Sequence, residues 1–158
     1  MKKLKFYRQG DVWLFPLKQN GLDDKILKQI QSKPKTEHGT LTVALGETSG
    51  HSHVVEPSGI AGDVSILSYE LDRDDHRRIC KSLELKFDDI LAEAKSLIGE
   101  APQDKPYVVD LRGGGQIAHR DADQKLTTDH HVIPLPIDVY YVVHQFQYSQ
   151  KGKVKVWD

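Results

Sequence analysis

The sequence predicts a single domain over residues 1–158, mainly β and of the α+β class, with a helical insertion at 70–105. We expect an antiparallel β barrel or a jelly-roll-like sandwich. Three observations predict this class. Runs rich in β-branched and aromatic residues recur towards both ends of the chain, which is typical of strands. Turn-forming Gly, Pro, Asp and Ser separate these runs. The clearest apolar stripe with helical spacing lies between the two β-rich regions.

The first β-rich region covers about residues 4–69. Segment 12–17 is apolar on both faces, which favours a strand buried on both sides over a half-exposed one. Segment 19–35 is polar, and the pattern leaves open a short helix or a surface loop. Alternation and β-branched content predict a strand at 40–45, and the composition of 46–50 predicts a turn.

The middle region, 70–105, has the marks of a helix at 88–99. Asp88 or Asp89 can cap its start, and Gly99 stands where a helix commonly ends. The positions between them with helical spacing are apolar: Ile90, Leu91, Ala94, Leu97 and Ile98. The pattern at 80–87 does not decide between a strand and a preceding helix.

The last region is β again. Segment 107–111 leads through a run of three Gly into 116–119, which predicts a tight hairpin. Segment 139–148 has the strongest strand pattern in the chain. A final strand at 154–156 alternates with Lys, which is a common guard of an exposed edge strand.

Charge and cysteine content exclude several classes. The chain carries 22 Lys and Arg against 23 Asp and Glu, a formal net charge of −1, so it is not a strongly basic nucleic-acid binder. Its one Cys, Cys80, allows neither an intramolecular disulfide nor a Cys-based zinc site. No uncharged apolar run approaches the length of a membrane span. We therefore expect a cytoplasmic protein with no membrane partner.

Eight His residues point to a metal site. His51 and His53 are two apart, so on a strand they share a face with Cα atoms about 6.6 Å apart. Two neutral imidazoles at that spacing can bind one zinc, iron, nickel or copper ion, with further ligands supplied from elsewhere in the chain. The alternative interpretation is a turn next to Gly50 whose His residues are only solvated.

The surroundings of this pair support a metal. Gly46, His51-Ser-His53, Glu56 and Gly62 follow one another in an order that resembles the first motif of the cupin superfamily. In cupins the two His and the Glu bind a metal inside a small jelly-roll barrel, so the resemblance implies the same role for His51 and His53. Glu56 stands three residues beyond His53, an odd step that places it on the opposite face of a regular strand.

The rest of the chain carries weaker resemblances. Pro136-Ile-Asp138 and Tyr141 stand where the second cupin motif has Pro-x-Gly and a further His. The chain also resembles small bacterial, phage and plasmid proteins of unestablished activity, which implies that its His-rich windows belong to one small β domain. That likeness is carried by five segments: Arg8-Gln-Gly-Asp-Val12, Gly46-Glu-Thr-Ser-Gly-His51-Ser-His53, Asp129-His130, Pro134-Leu-Pro136 with Tyr140, and Gln145-Phe-Gln-Tyr148.

Asp129-His130-His131 is a second candidate motif. By itself it is similar to the signature of DHH phosphoesterases, in which Asp and His hold manganese. That family places the motif after an apolar strand, whereas Lys125-Leu-Thr-Thr precedes it here. Two other interpretations are favoured: His130 or His131 completes the His-x-His metal site, or the segment is a polar turn.

The remaining His residues receive different interpretations. His119 follows Gln116-Ile-Ala on a predicted strand and is a further candidate ligand in the same cavity. His144 lies on an apolar strand and is expected to be hydrogen-bonded in the core or at its rim. His38 and His76 lie in polar stretches and are expected to be solvated.

Together these patterns predict a metal-binding, cupin-like β domain with a His-lined pocket for a small ligand or substrate. The candidate metal ligands are His51, His53, His119, His130 and His131. The cofactor would be a divalent transition metal such as zinc, iron, nickel or manganese, and a metal-dependent enzyme or a homo-oligomer is compatible with the sequence. The alternative is a non-catalytic binding or assembly module of phage or plasmid origin.

Overall fold

A computed structural model describes residues 3–46, 50–58, 66–87, 92–100, 105–144, 146–149 and 152–155. Within these residues the chain forms twelve strands and three helices. Most of the predicted turn at 46–50, Gly62 of the cupin-like motif, and the predicted helix start at 88–91 lie outside the described residues.

The larger sheet has six strands, and each neighbouring pair is antiparallel. In spatial order its strands are β1 (Tyr7–Gln9), β2 (Val12–Pro16), β10 (Asp138–His144), β7 (Tyr107–Leu111), β6 (Ile66–Glu70) and β3 (Thr36–His38). All of β2 and all of β10 except His144 are buried. The prediction of a strand buried on both faces is therefore confirmed for 12–16, because this sheet is the middle layer of the molecule.

The smaller sheet has four antiparallel strands. In spatial order they are β4 (Leu41–Leu45), β5 (Ser52–Pro57), β8 (Gly115–Arg120) and β9 (Ile133–Leu135). Two further strands, β11 (Phe146–Ser149) and β12 (Gly152–Lys155), pair with each other in a separate hairpin. The predicted hairpin at the Gly run is wrong, because β7 pairs with β10 and β6 in the larger sheet, whereas β8 pairs with β5 and β9 in the smaller sheet. The Gly run instead carries the chain from one sheet to the other.

One apolar core lies between the two sheets. The larger sheet contributes alternate residues that include Leu14, Val109 and Val142, and the smaller sheet contributes Val55 and Ile117. Because strand side chains alternate between faces, the neighbouring residues of the larger sheet point to its other side. The two sheets therefore form a sandwich, and the inner face of the smaller sheet lines its interior.

Three helices cover the outer face of the larger sheet: α1 (Asp24–Gln31), α2 (Arg73–Glu84) and α3 (Ala92–Glu100). Buried residues of all three helices pack in a second core with Phe15 and Tyr141. Segment 19–35, for which the sequence allowed a helix or a loop, contains helix α1 at Asp24–Gln31. Segment 80–87, for which it allowed a strand or a helix, is helical up to Glu84 as the end of α2. Helices α2 and α3 fall between β6 and β7, within the predicted helical segment. In the described part of the chain, no helix is both long enough and apolar enough to cross a membrane.

The mainly antiparallel β prediction is confirmed, but the closed barrel is wrong. Among the described residues the two sheets keep separate strand orders and no strand pair joins them. The physical reason lies in strands such as β2, which are apolar on both faces. A barrel offers one interior, whereas these strands need one apolar layer on each side, and here the helices supply the second layer.

Two histidines differ from their predicted environments. His76 Nε2 lies 2.6 Å from the hydroxyl oxygen of Tyr141, and burial lowers the pKa of the His76 imidazole. His38 Nε2 lies 2.8 Å from Ser68 Oγ across the β3–β6 pair. Both side chains are half-buried rather than solvated. His76 lies on α2, which packs against the larger sheet, and His38 lies on β3, which pairs with β6.

Candidate metal centre

The site begins on two neighbouring strands of the smaller sheet. The register of β5 and β8 pairs His53 directly with His119. Residues two apart on a strand share a face, so these His side chains lie on the same side as Val55 and Ile117, which line the sandwich interior. His53 is 0% exposed and His119 is 1% exposed. The fold therefore places two imidazoles side by side in the space between the sheets.

A third imidazole comes from the loop that joins β8 to β9. The backbone N–H of Thr127 donates to the carbonyl of His119 at 3.0 Å, and Leu126 forms a bridge with Arg120. The Asp121 carboxylate accepts two backbone N–H bonds within the same loop. These bonds fold the loop back along β8, which brings His130 to the edge of the His53–His119 pair.

The three rings lie close enough to share one metal ion. Ring centroids are 4.6 Å apart for His53 and His119, 4.8 Å for His119 and His130, and 5.2 Å for His53 and His130. One ligand nitrogen from each residue lies within 4.8 Å of the other two. A tetrahedral zinc ion with Zn–N bonds of about 2.0–2.1 Å would separate such centroids by roughly 5 Å. We call His53, His119 and His130 the inner triad.

Gln9 fixes which nitrogen of His53 carries the proton. The Gln9 amide nitrogen donates to the carbonyl of His131 at 2.8 Å and to that of Ile117 at 3.3 Å. The amide oxygen is thereby turned to His53 Nδ1, 2.7 Å away. Because that oxygen can only accept, Nδ1 must donate, and in the neutral ring the lone pair of His53 lies on Nε2. This buried nitrogen is in the state that a metal requires.

Thr127 plays the matching part for His119. Its hydroxyl oxygen lies 2.6 Å from His119 Nδ1 and can accept a hydrogen bond from the N–H at that position. With Nδ1 held, Nε2 is the nitrogen of His119 that faces the other imidazoles. Hydrogen bonds of this kind orient ligand rings and increase their basicity in known metal sites.

A second group of possible ligands shares one member with the inner triad. It consists of His51, His119 and Asp129, whose ligand atoms also lie within 4.8 Å of one another. The ring centroids of His51 and His119 are 5.3 Å apart. His51 is half-buried and Asp129 is exposed. We call these three residues the outer group.

The structure thus brings together four of the five predicted ligands. His131 is the exception, because its side chain is exposed and belongs to neither group. Its backbone carbonyl instead holds Gln9. The Asp-His-His motif is split accordingly: Asp129 joins the outer group, His130 joins the inner triad, and His131 points elsewhere.

Glu56, the carboxylate of the cupin-like motif, lies on the other face of β5 in an ion pair. Arg120 donates to both of its oxygens, through Nε at 2.8 Å and Nη2 at 2.5 Å, and Gln116 donates at 2.8 Å. Burial alone would raise the pKa of Glu56, but the hydrogen bonds from Arg120 and Gln116 outweigh burial and lower it. The carboxylate is therefore ionised, and its two oxygens are occupied by these donors.

The sequence did not indicate Gln9 and Thr127 as residues of the candidate site. Gln9 acts from the start of the chain on a ring 44 positions away, and Thr127 acts through a loop conformation. Neither residue type is unusual at a strand end or in a loop, so no local pattern distinguishes them.

We expect Gln9→Leu to lower zinc affinity by about 10–100-fold, the usual cost of removing an outer-shell partner of a metal-bound His. The loss arises because His53 Nδ1 no longer has an acceptor and the ring is no longer held. Isothermal titration measures the change. Gln116→Leu is the matched control, because it removes an amide on the outer face and should leave zinc affinity unchanged. Equal affinities for both variants would contradict the assigned role of Gln9.

Comparison of the chain with protein-family models, with curated proteins and with solved structures finds no significant match.

Proposed function

We propose that this protein binds one divalent transition-metal ion through the inner triad and offers an open coordination position to a small ligand or substrate. The observation that carries the proposal is the geometry of the triad. Three imidazoles lie at mutual centroid distances of 4.6–5.2 Å, and Gln9 fixes one of them in its metal-binding tautomer.

The same arrangement is hard to explain by packing alone. Three imidazoles side by side add little apolar contact, and protonating them together would place like charges in a buried space. A divalent ion would offset this cost, because it can accept a lone pair from each of the three imidazoles, whose ligand atoms lie within 4.8 Å of one another. Buried polar groups of this kind are a usual mark of a functional site.

The donor set favours particular metals and chemistry. Three neutral nitrogen donors suit zinc, iron or nickel better than manganese, which prefers oxygen ligands. Three protein ligands with a vacant position are typical of catalytic metal sites, where the ion polarises a bound carbonyl or activates water. We infer a cupin-like site in the sense that imidazoles from adjacent strands hold the ion inside a β sandwich. We place the protein in the cytoplasm, where the Cys80 thiol stays reduced.

Metal analysis of adjacent histidine variants tests the proposal. Protein without a His tag should contain close to one equivalent of metal by elemental mass spectrometry, or take up one equivalent of zinc in titration. His130→Ala should lower zinc affinity by at least about tenfold. His131→Ala is the matched control, since that side chain is exposed and outside the triad, and it should bind zinc as the natural protein does.

The competing function is a non-catalytic binding or assembly module in which the His residues stabilise turns. It predicts protein that neither contains metal nor gains thermal stability with zinc, nickel or iron(II). Natural protein that contains no metal and takes up none in titration would contradict the metal proposal, and so would an equal loss of zinc affinity in His130→Ala and His131→Ala.

A further inference from the structure

The outer group stands beside the inner triad and shares His119 with it. The two sets cannot hold two ions at once through that ring. His119 Nδ1 is engaged with Thr127 at 2.6 Å, which leaves Nε2 as the only nitrogen for a metal, and one lone pair binds one ion. The two sets are therefore alternative positions for a single ion.

The two positions differ in depth. In the outer group Asp129 is exposed, His51 is half-buried and His119 is buried. In the inner triad His53 and His119 are buried and His130 is half-buried. An ion that moved from the outer group to the inner triad would travel from solvent into the sandwich. It would keep one ligand, His119, throughout that movement.

The two positions also differ in chemistry. The outer group offers a carboxylate, which attracts a hydrated cation by charge and exchanges readily with water, together with two imidazoles. The inner triad offers three nitrogens, which bind late first-row metals more firmly than a set that contains an exposed carboxylate. The gradient in affinity therefore runs in the same direction as the gradient in depth.

We propose, on the premise that the inner triad is the metal site, that His51 and Asp129 form a loading position for the ion. A divalent cation is captured from solvent by Asp129, His51 and His119. It then exchanges the first two ligands for His53 and His130 while it stays bound to His119. Release follows the same steps in reverse order.

A loading position has a kinetic signature that a structural role lacks. If His51 and Asp129 act only on the route, their loss slows uptake and release by the same factor and leaves the equilibrium affinity unchanged. Stopped-flow mixing with Co²⁺, followed by its visible absorption, measures uptake, and transfer of Co²⁺ to excess chelator measures release. We expect His51→Ala/Asp129→Asn to slow both rates by about tenfold, within the range of electrostatic capture effects, and to change affinity by less than about twofold.

Two controls separate loading from general charge and from the metal site itself. Asp123→Asn removes one negative charge from the same exposed loop without touching either ligand group, and its uptake rate should match that of the natural protein. His53→Asn should lose equilibrium affinity. Natural uptake rates in the double variant would overturn the loading position, and so would a loss of affinity without slower uptake. Absence of Co²⁺ binding to the natural protein would instead refute the metal site and the loading position together.

Discussion

Replacing His53 by Asn will abolish tight metal binding while leaving the fold intact. The Asn amide nitrogen takes the place of imidazole Nδ1, so it still donates to Gln9, whose oxygen accepts at this position. The ligand nitrogen Nε2 is lost. We expect zinc affinity to fall by roughly 100-fold or more, since even an outer-shell loss costs about 10–100-fold.

The same variant should lose the stabilisation that zinc gives. At free zinc about 100 times the Kd, binding adds about 2.7 kcal/mol to the free energy of unfolding. For a chain of this size that raises the Tm by about 5–10 °C. Differential scanning calorimetry should show this rise for the natural protein and at most about 2 °C for His53→Asn at the same zinc concentration, where a 100-fold weaker site adds only about 0.4 kcal/mol. The two metal-free proteins should melt within a few degrees of each other.

Two measurements test this prediction: isothermal titration gives the zinc affinity, and differential scanning calorimetry gives the Tm with and without zinc. A zinc-dependent rise in Tm that survives His53→Asn would mean that the ion binds outside the inner triad. A metal-free variant that melts far below the natural protein would mean that the His53 ring packs structurally beyond its bond to Gln9. His131→Ala supplies the control in both measurements, because it removes a nearby imidazole from the exposed surface.

The second large effect concerns the ion pair on the opposite face of β5. Glu56 has a side chain that is 10% exposed. Replacing Arg120 by Met removes the guanidinium group that donates to both of its oxygens. At pH 7 we expect a loss of about 2–3 kcal/mol in the free energy of unfolding, measured by urea denaturation. Arg120 Nη1 also donates to the carbonyl of Gln124 at 2.8 Å, in the loop that carries Thr127 and His130, so the stability of the metal-free protein, and not zinc affinity, is the readout for this variant.

The pH dependence of that loss follows from the pKa of Glu56. In the natural protein the hydrogen bonds from Arg120 and Gln116 overcome burial and hold this pKa below the ordinary value of 4.5. A carboxyl with a lowered folded-state pKa contributes stability above its unfolded pKa and loses it as the pH falls through the folded value. The difference in unfolding free energy between Arg120→Met and the natural protein should therefore be full at neutral pH and shrink as the pH falls through 4.5, the ordinary pKa of the carboxyl, towards the lowered folded value.

Lys28→Met is the matched control for the ion pair. Lys28 Nζ lies 3.0 Å from Asp24, and both side chains are exposed, at 76% and 72%, so the loss should cost less than about 1 kcal/mol. Equal losses for Lys28→Met and Arg120→Met would contradict a special role for the Glu56–Arg120 pair. A drop in zinc affinity for Glu56→Gln would indicate that the Glu56 carboxylate is a metal ligand, as the resemblance to the first cupin motif implies.

Much of the fold could be predicted because strand and helix patterns are local. The two-sided apolar character of 12–17 indicates a strand in a middle layer, and the structure covers β2 on both faces. The same pattern did not show what forms the third layer. Helices supply it, and this packing is the reason that, of the two predicted alternatives, the barrel is wrong.

Part of the site could be predicted for the same reason. The spacing of His51 and His53 and the placement of His119 on a strand follow from short-range alternation. The choice between His130 and His131 did not follow from it, since both lie in a loop whose path depends on bonds to β8. The loop bond from Thr127 to the carbonyl of His119 is one of the contacts that set this path.

By itself the sequence determined the fold class, the helical segment and a set of imidazoles suited to a metal, because composition and periodicity act over a few neighbouring residues. Only the tertiary structure decided that His53, His119 and His130 converge, that Glu56 pairs with Arg120, and that Gln9 sets the His53 tautomer. These features depend on strand register and loop closure. Both join residues far apart in the chain, for which no local pattern carries a signal.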